Sequence, residues 1–296
     1  MPELPEVESA RRIVAATLIG LPLVEAELRL PKLLRFSELP TLDALIGAAI
    51  VDARRRAKVL ILDWSNELSL VGHLKMTGQI VVERNGVRRY AGHPFPAPEG
   101  EFPHRVTHLT MWFRDDAVLH LSDLRQFGWL RVMPSRSVPL FLESLRLGPE
   151  AIGEDGITSD ALRLGLGRRR IAVKTALLDQ GLLAGLGNIY VDEALHHARI
   201  HPLRPANSLA GDDVERLLSG IVWALDNGVA QGGAKIRQGK AFPVDGFPSI
   251  HARQGLPCDR CGAVIVKTIV GGRGTYLCPV CQPESTSGSP DSPAIP

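Results

Sequence analysis

The segment CDRCGAVIVKTIVGGRGTYLCPVC, residues 258–281, has a spacing that decides how this end of the chain folds: C-x2-C, sixteen residues, then C-x2-C. Each pair fits a tight knuckle, and two knuckles deliver four thiolates to one tetrahedral zinc ion. Cys258, Cys261, Cys278 and Cys281 are therefore the expected ligands. The span between them alternates as a hairpin does, with GGRG at its tip, and this predicts a zinc ribbon. Four protein ligands close the coordination sphere and leave no position for a catalytic water, so the metal is expected to be structural. Arg273 at the tip points to an anionic partner, whereas His251, close by in sequence, is surplus as a ligand.

Upstream of the ribbon the pattern is helical. TSDALRLGL, VKTALLDQ, NIYVDEALHHA and SLAGDDVERLLSGIVWALDNGVA each repeat apolar residues at helical spacing. Thr158 or Ser159, and Asn188, are the candidate caps. GLLAGLGN, residues 181–188, connects two of these helices, and its glycines are expected to let backbone N–H groups approach a phosphate. From about residue 22 to 133 the texture is that of strands. KVLILDW, ELSLVGHL, GQIVVER, THLTMWF and AVLHLSD predict an antiparallel sandwich with a turn at RDD, residues 114–116. A helix from residue 5 to about 18 is expected against one edge of it. RNGVRRYAGHPFPAPEGEFPHR, residues 84–105, reads as a long surface loop.

The expected organisation is α+β and multidomain. It comprises a sandwich over 1–134, a linker over 135–152, a helical domain over 153–250, the ribbon over 251–282 and a disordered tail over 283–296. Of the 296 residues, 45% are hydrophobic and 22% charged, which is the composition of a globular protein. The net charge of +2 says little about partners, but five basic residues between 161 and 178 without a carboxylate, and RRRAK at 54–58, suggest anion-binding faces. No apolar run has the length to cross a bilayer, and no basic stretch leads into an apolar one at the N-terminus. A cytoplasmic protein is expected, without membrane attachment and without a reason to oligomerise. In that compartment thiols hold metal rather than disulfides.

The chain opens MPELPEVESA. Pro5, Glu6 and Glu8 suit the start of a helix. The same residues also suit a reagent. Methionine removal before a small second residue leaves Pro2 at the terminus as a secondary amine, and an α-amino group has a pKa of about 7.7–8.0, so much of it is unprotonated at neutral pH. Attack of that nitrogen on a sugar carbon gives a covalent, cationic iminium that serves as an electron sink for eliminating the neighbouring phosphates. Glu3 and Glu6 are the adjacent proton carriers.

Together PELPEVE, GLGNIYVDEAL and the four-cysteine ribbon resemble one family, the bacterial formamidopyrimidine-DNA glycosylases, within the superfamily that includes the endonuclease VIII-like enzymes. The likeness runs from Met1 to about Gln282. It implies a β-sandwich, a helix–two-turns–helix domain and a zinc ribbon, with double-stranded DNA in the cleft between the halves. It further implies excision of 8-oxoguanine and formamidopyrimidines, then strand scission by β,δ-elimination at oxidised bases or abasic sites. By motif, Pro2 is the implied nucleophile, Glu3 the acid–base residue, Glu6 a residue that holds the site, and Lys58 a phosphate contact that assists proton transfer. Asn188 and Arg273 are implied to grip the backbone, and Lys174 and His108 to contact DNA. Met76, Arg125 and Phe127 are implied to fill the gap left by an everted nucleotide. The run AKIRQGKAFPVDG, residues 234–246, departs from the family's hydroxyl-rich lid, and His251-Ala252 replaces a usual Tyr-Gly pair. Two alternatives follow from these departures: a lesion range shifted towards oxidised pyrimidines or ring-opened purines, and a non-catalytic binder of damaged DNA.

Overall fold

The computed structural model describes residues 2–153, 156–237 and 239–284. Of the expected tail, residues 285–296 lie outside the described residues. The first half forms two antiparallel sheets. One holds β2 (Ile50–Arg56), β3 (Val59–Trp64), β4 (Leu68–His73) and β9 (Trp129–Pro134) in that order. The other runs β1 (Leu23–Leu28), β7 (Thr107–Phe113), β8 (Val118–Asp123), β5 (Gly78–Arg84) and β6 (Val87–Gly92).

KVLILDW is apolar on both faces because both faces of β3 are covered. Leu60, Leu62 and Trp64 point into the sandwich, where Trp64 stacks on Phe113 of the other sheet at 6.2 Å. Val59 and Ile61 point outward beneath Val138, Phe141 and Leu142. These belong to a short helix, α2 (Val138–Ser144), that occupies the expected linker. A continuous apolar strand is what two-sided burial requires.

Helix α1 (Leu4–Leu18) turns Val7, Ala10, Val14 and Leu18 into the sandwich core. It packs against β2 and β6, which are edge strands of different sheets. The expected position at one edge is thus corrected: α1 closes the open side between both sheets. Its apolar stripe is wide enough to serve two partners. The stretch 84–105 also departs from the expected loop. Its first part is β6, joined to β5 by a turn in which Asn85 and Gly86 take φ of 52° and 71°. Asn-Gly is the residue pair that such two-residue hairpin turns demand, because both central positions need positive φ.

The second half packs α3 (Ser159–Gly167), α4 (Val173–Leu177), α5 (Asn188–Ala198) and α6 (Gly211–Ala230) around a separate apolar core. Thr158 caps α3 by accepting the Ala161 N–H. Leu4 of α1 belongs to this second core, so the first helix is shared by the two halves. Glu150 ties the halves together as well. It accepts from Arg55 Nη1 at 2.8 Å, Arg56 Nη1 at 2.5 Å and the Ala57 N–H at 2.6 Å. Arg54 meanwhile pairs with Asp63. The arginines of RRRAK are therefore engaged by carboxylates, which corrects the expectation of an anion-binding face there. A hairpin of β12 (Val266–Val270) and β13 (Arg273–Leu277) completes the ribbon. Among the described residues no helix is long and apolar enough to cross a membrane.

Candidate active site

A cleft cavity of about 410 Å³ lies between the two halves, lined by Pro2, Glu3, Glu6, Met76, Asn188 and Arg273 among others. Six of the residues named from the sequence thus meet in one place, although they come from α1, a sandwich turn, α5 and the ribbon. Pro2 is buried as a residue yet borders this space.

Glu3 explains how the first helix meets the fifth. Its carboxylate accepts the Ile189 N–H at 3.1 Å and the Tyr190 N–H at 3.5 Å. These are donors that the start of α5 leaves unpaired, and a negative charge suits that end of the helix dipole. The cap of α5 is therefore supplied by Glu3 from the other half of the chain, not by Asn188, which is the first helical residue. The Asn188 amide instead donates to the Gly274 carbonyl at 2.9 Å, and its Oδ1 is buried without a partner. Glu3 is also buried, and burial pushes its carboxyl up from the usual range, with Glu6 adding to the rise and Lys58 opposing it. A carboxyl that holds its proton at higher pH is better suited to act as an acid.

Glu6 accepts the Glu3 backbone N–H at 2.8 Å, the Tyr190 hydroxyl at 2.8 Å and the Ala234 N–H at 3.0 Å. The last of these brings the lid segment onto the site. Three glycines make the arrangement sterically possible. A Cβ on Gly187 would come within 2.3 Å of the Glu3 carboxyl carbon, and one on Gly228 within 2.4 Å of the Tyr190 ring. Gly233, at φ 106°, would meet Glu6 Cγ at 2.8 Å. The glycines of GLLAGLGN also have a structural reason: Gly185 and Gly187 are small so that Leu4 and Glu3 can approach.

Lys58 donates to the Leu186 carbonyl at 2.6 Å, which Gln180 also reaches at 2.8 Å. Burial lowers the Lys58 pKa, against the pull of Glu3 and Glu6. Its neutral form is thereby favoured more than that of a surface lysine, as proton transfer requires.

Lys174 and His108 are placed elsewhere than the motif match implied. Lys174 is fully buried and donates to Asp192 at 2.6 Å and to the Gly274 carbonyl at 3.1 Å. A buried cation needs such a partner, so this lysine docks the ribbon instead of facing DNA. His108 is buried in the sandwich, 2.9 Å from the Asp123 carbonyl through Nε2. Met76, Arg125 and Phe127, by contrast, are brought together. Thr77 donates to Asp123, Arg125 N–H donates to Thr77 at 2.9 Å, and Gly128 N–H donates to the other Asp123 oxygen at 2.8 Å. Asp123 therefore binds the turn bearing Met76 to the turn bearing Arg125 and Phe127. The Arg125 guanidinium lies over the Phe127 ring at 4.6 Å, and that ring is 50% exposed. Phe127 is therefore a surface residue of a tied turn and not part of the core.

The four thiolate sulfurs lie within 4.8 Å of one another. Cys258 and Cys281 are 3.9 Å apart and Cys261 and Cys278 3.4 Å apart. Tetrahedral Zn–S bonds of about 2.3 Å put sulfurs roughly 3.8 Å apart, so the cluster fits one zinc ion. His196 Nε2 lies 3.4 Å from the Cys258 sulfur, as an outer hydrogen-bond partner does. The ion is structural, and contacts to Asp192 of α5 hold the hairpin that the metal organises. Asp192 accepts from Lys174, from His251 at 2.7 Å and from the Tyr276 N–H at 3.2 Å. His251 is thus no metal ligand, as its position in the sequence suggested. Ala252 keeps a left-handed φ of 62° where the family's glycine would sit, at a cost of about 1 kcal/mol. Stripping the zinc is expected to free the tip that carries Arg273 and to weaken binding to abasic duplex by about tenfold or more, while the sandwich still melts cooperatively. Fluorescence anisotropy and calorimetry on the chelated protein check this, and unaltered binding after verified zinc loss contradicts it.

A sandwich and a helical domain that share a cleft bordered by Pro2 and by the paired, buried Glu3 and Glu6 have the arrangement of the helix–two-turns–helix class of DNA glycosylases. Comparison with known proteins narrows this further. Residues 1–130 match the formamidopyrimidine-DNA glycosylase N-terminal domain, 147–239 the H2TH domain of the same enzymes, and 255–283 the zinc finger found in FPG and IleRS. The formamidopyrimidine-DNA glycosylase of Pelotomaculum thermopropionicum is 38% identical over 95% of this chain and 99% of its own. Two solved structures of the Lactococcus lactis enzyme, each covering 96% of this chain and 100% of their own, align closely. One holds DNA with an N7-benzyl-Fapy-dG lesion (33% identity, TM-score 0.82), the other DNA with an abasic site (32%, 0.83). The chain belongs to the formamidopyrimidine-DNA glycosylase family.

Proposed function

We propose that this protein excises oxidised purines from double-stranded DNA and cuts the strand at the resulting site through a covalent intermediate on Pro2. The observation that carries the reading is the meeting of Pro2, Glu3 and Glu6 at one cavity between the halves. Once Met1 is removed, the Pro2 nitrogen attacks C1′ of the damaged nucleotide as the glycosidic bond breaks. Glu3, held at the start of α5, gives its proton to the opening sugar ring. The iminium that results acidifies the C2′ proton, and its removal expels the 3′ phosphate; a second elimination expels the 5′ phosphate. Lys58 is within electrostatic reach of Glu3 and Glu6 and is the proton carrier of this stage. Glu6 holds Glu3 and Tyr190 and fixes the lid.

On the wall opposite the sandwich, Asn188 and Arg273 hold phosphates: the Asn188 Nδ2 carries two N–H donors, of which one is directed at the Gly274 carbonyl and the other is the group offered to a phosphate oxygen. Met76, Arg125 and Phe127 enter the duplex from the sandwich side, where the wedge offsets lost stacking and the arginine satisfies the orphaned base. The protein acts as a monomer in the bacterial cytoplasm, with boundaries near those drawn from the sequence except that α2 belongs to the sandwich.

The lid, built on a hairpin of β10 (Ile236–Arg237) and β11 (Lys240–Ala241), brings Ala234, Ile236 and Gly239 to the cavity. Parallel excision from duplexes carrying 8-oxoguanine opposite cytosine, a formamidopyrimidine or thymine glycol tests the substrate class. Faster release of both purine lesions than of thymine glycol is the expected result; the reverse order supports the shifted lesion range.

A further inference from the structure

The segment 85–105 has no part in the chemistry above, yet it supplies three residues to the same cavity, Gly92, His93 and Pro94. It does so under close restraint. The His93 N–H donates to the Gly78 carbonyl at 2.9 Å. Gln79, which is fully buried, donates through Nε2 to the carbonyls of His93 at 2.6 Å and Pro96 at 2.9 Å. Arg88 pins the far end by donating to the carbonyls of Pro98 at 3.0 Å and Gly100 at 2.6 Å, with its guanidinium 5.3 Å from the centre of the Phe102 ring. Backbone groups held by a buried amide and a buttressed arginine do not form a free surface loop.

The ring of His93 is held in one tautomer. The Phe95 N–H lies 3.2 Å from Nδ1 and is an obligate donor, so Nδ1 accepts; the Phe95 carbonyl at 3.4 Å is the poorer and longer contact. Burial also lowers the His93 pKa, the Phe95 carbonyl and Asp123 opposing, so the ring carries a single N–H. That N–H is on Nε2, which has no hydrogen-bond partner among the described residues. We propose that His93 is a specificity-determining residue whose Nε2–H donates to a carbonyl oxygen of the everted, oxidised purine. An uncharged donor suits a base carbonyl, because the phosphates already face Asn188 and Arg273 on the other wall. His93 also stands beside the turn that carries Met76, since the Gly78 N–H that closes that turn donates to Leu74 and the Gly78 carbonyl accepts from His93. This inference rests on the function proposed above.

The test compares two reactions of the full-length protein under single turnover: base release from an 8-oxoguanine duplex and scission of a preformed abasic duplex, which has no base to read. His93→Ala is expected to lower the ratio of release to scission about tenfold, the worth of one hydrogen bond to the reacting group. His93→Gln, which keeps an N–H donor, recovers part of the ratio, and His93→Phe, which keeps only bulk, does not. Gln79→Leu, which unfastens the segment without touching its ring, lowers the ratio in the same sense. An unchanged ratio in His93→Ala, or full recovery in His93→Phe, overturns the inference. Equal loss of both reactions does so too, because it assigns His93 to the phosphates or to the fold. Failure of the unmodified protein to cut the abasic duplex would instead overturn the function on which the inference depends.

Discussion

Glu3→Gln protein is expected to bind lesion-bearing duplex and yet release the base at least about 10³-fold more slowly than the parent, roughly 4 kcal/mol on the barrier. The side chain keeps its volume, and the carboxamide oxygen still accepts the Ile189 N–H that the carboxylate accepts at 3.1 Å. The start of α5 therefore stays in place. What the variant lacks is a proton to give. Burial raises the Glu3 pKa, so the parent holds that proton to higher pH than an exposed glutamate would, and the variant holds none at any pH. Single-turnover release from an 8-oxoguanine duplex, measured beside binding affinity, separates the two effects. Release within about threefold of the parent would remove Glu3 from the chemistry.

A larger loss is expected when the Pro2 nitrogen is blocked. A residue placed ahead of Pro2 that the cell does not remove converts the amine to an amide, whose lone pair is delocalised and cannot attack. Scission of abasic duplex is expected to fall by about 10⁴-fold or more, since without the covalent intermediate the elimination has no electron sink. The fold should survive. Leu4 N–H still reaches the Gly185 carbonyl at 3.2 Å, and Glu3 still caps α5, so the thermal midpoint should move little. Scission that persists in the blocked protein would mean that another nucleophile operates, with Lys58, whose charge interacts with both glutamates, the first amine to examine.

Much of this was legible in the sequence because its signals are local. THLTMWF spans the observed β7, and four cysteines at two-residue spacing converge on one ion. PELPEVE placed Pro2, Glu3 and Glu6 at a helix start, where they stand. What could not be read were relations between distant segments. Nothing near Glu3 tells that its carboxylate caps a helix that begins 185 residues later. The glycines of GLLAGLGN read as a phosphate cradle alone because their neighbours, Leu4 and Glu3, are far off in the chain. Lys174 looked exposed in a basic run, although Asp192 in the motif NIYVDEAL could have been matched to it as the partner that a buried lysine needs.

Two further signals are local and readable. Asn85-Gly86 is a hairpin turn, and it predicts that the first part of the stretch 84–105 is the strand β6. LSD followed by RQFG held Asp123, the residue that joins the two wedge turns, but an aspartate at a strand end reads as an ordinary turn residue. The apolar run of β3 likewise needed α2 to account for its outer face, and α2 lay inside what composition had drawn as a linker.

The central claim, that the Pro2 nitrogen is the nucleophile, is tested most directly by reducing the reaction with borohydride on an abasic or 8-oxoguanine duplex and mapping the cross-linked peptide. The account predicts a stable protein–DNA adduct whose single modified position is the N-terminal proline, and no adduct in the blocked protein. A cross-link at a lysine, or scission without any trapped adduct, would contradict it.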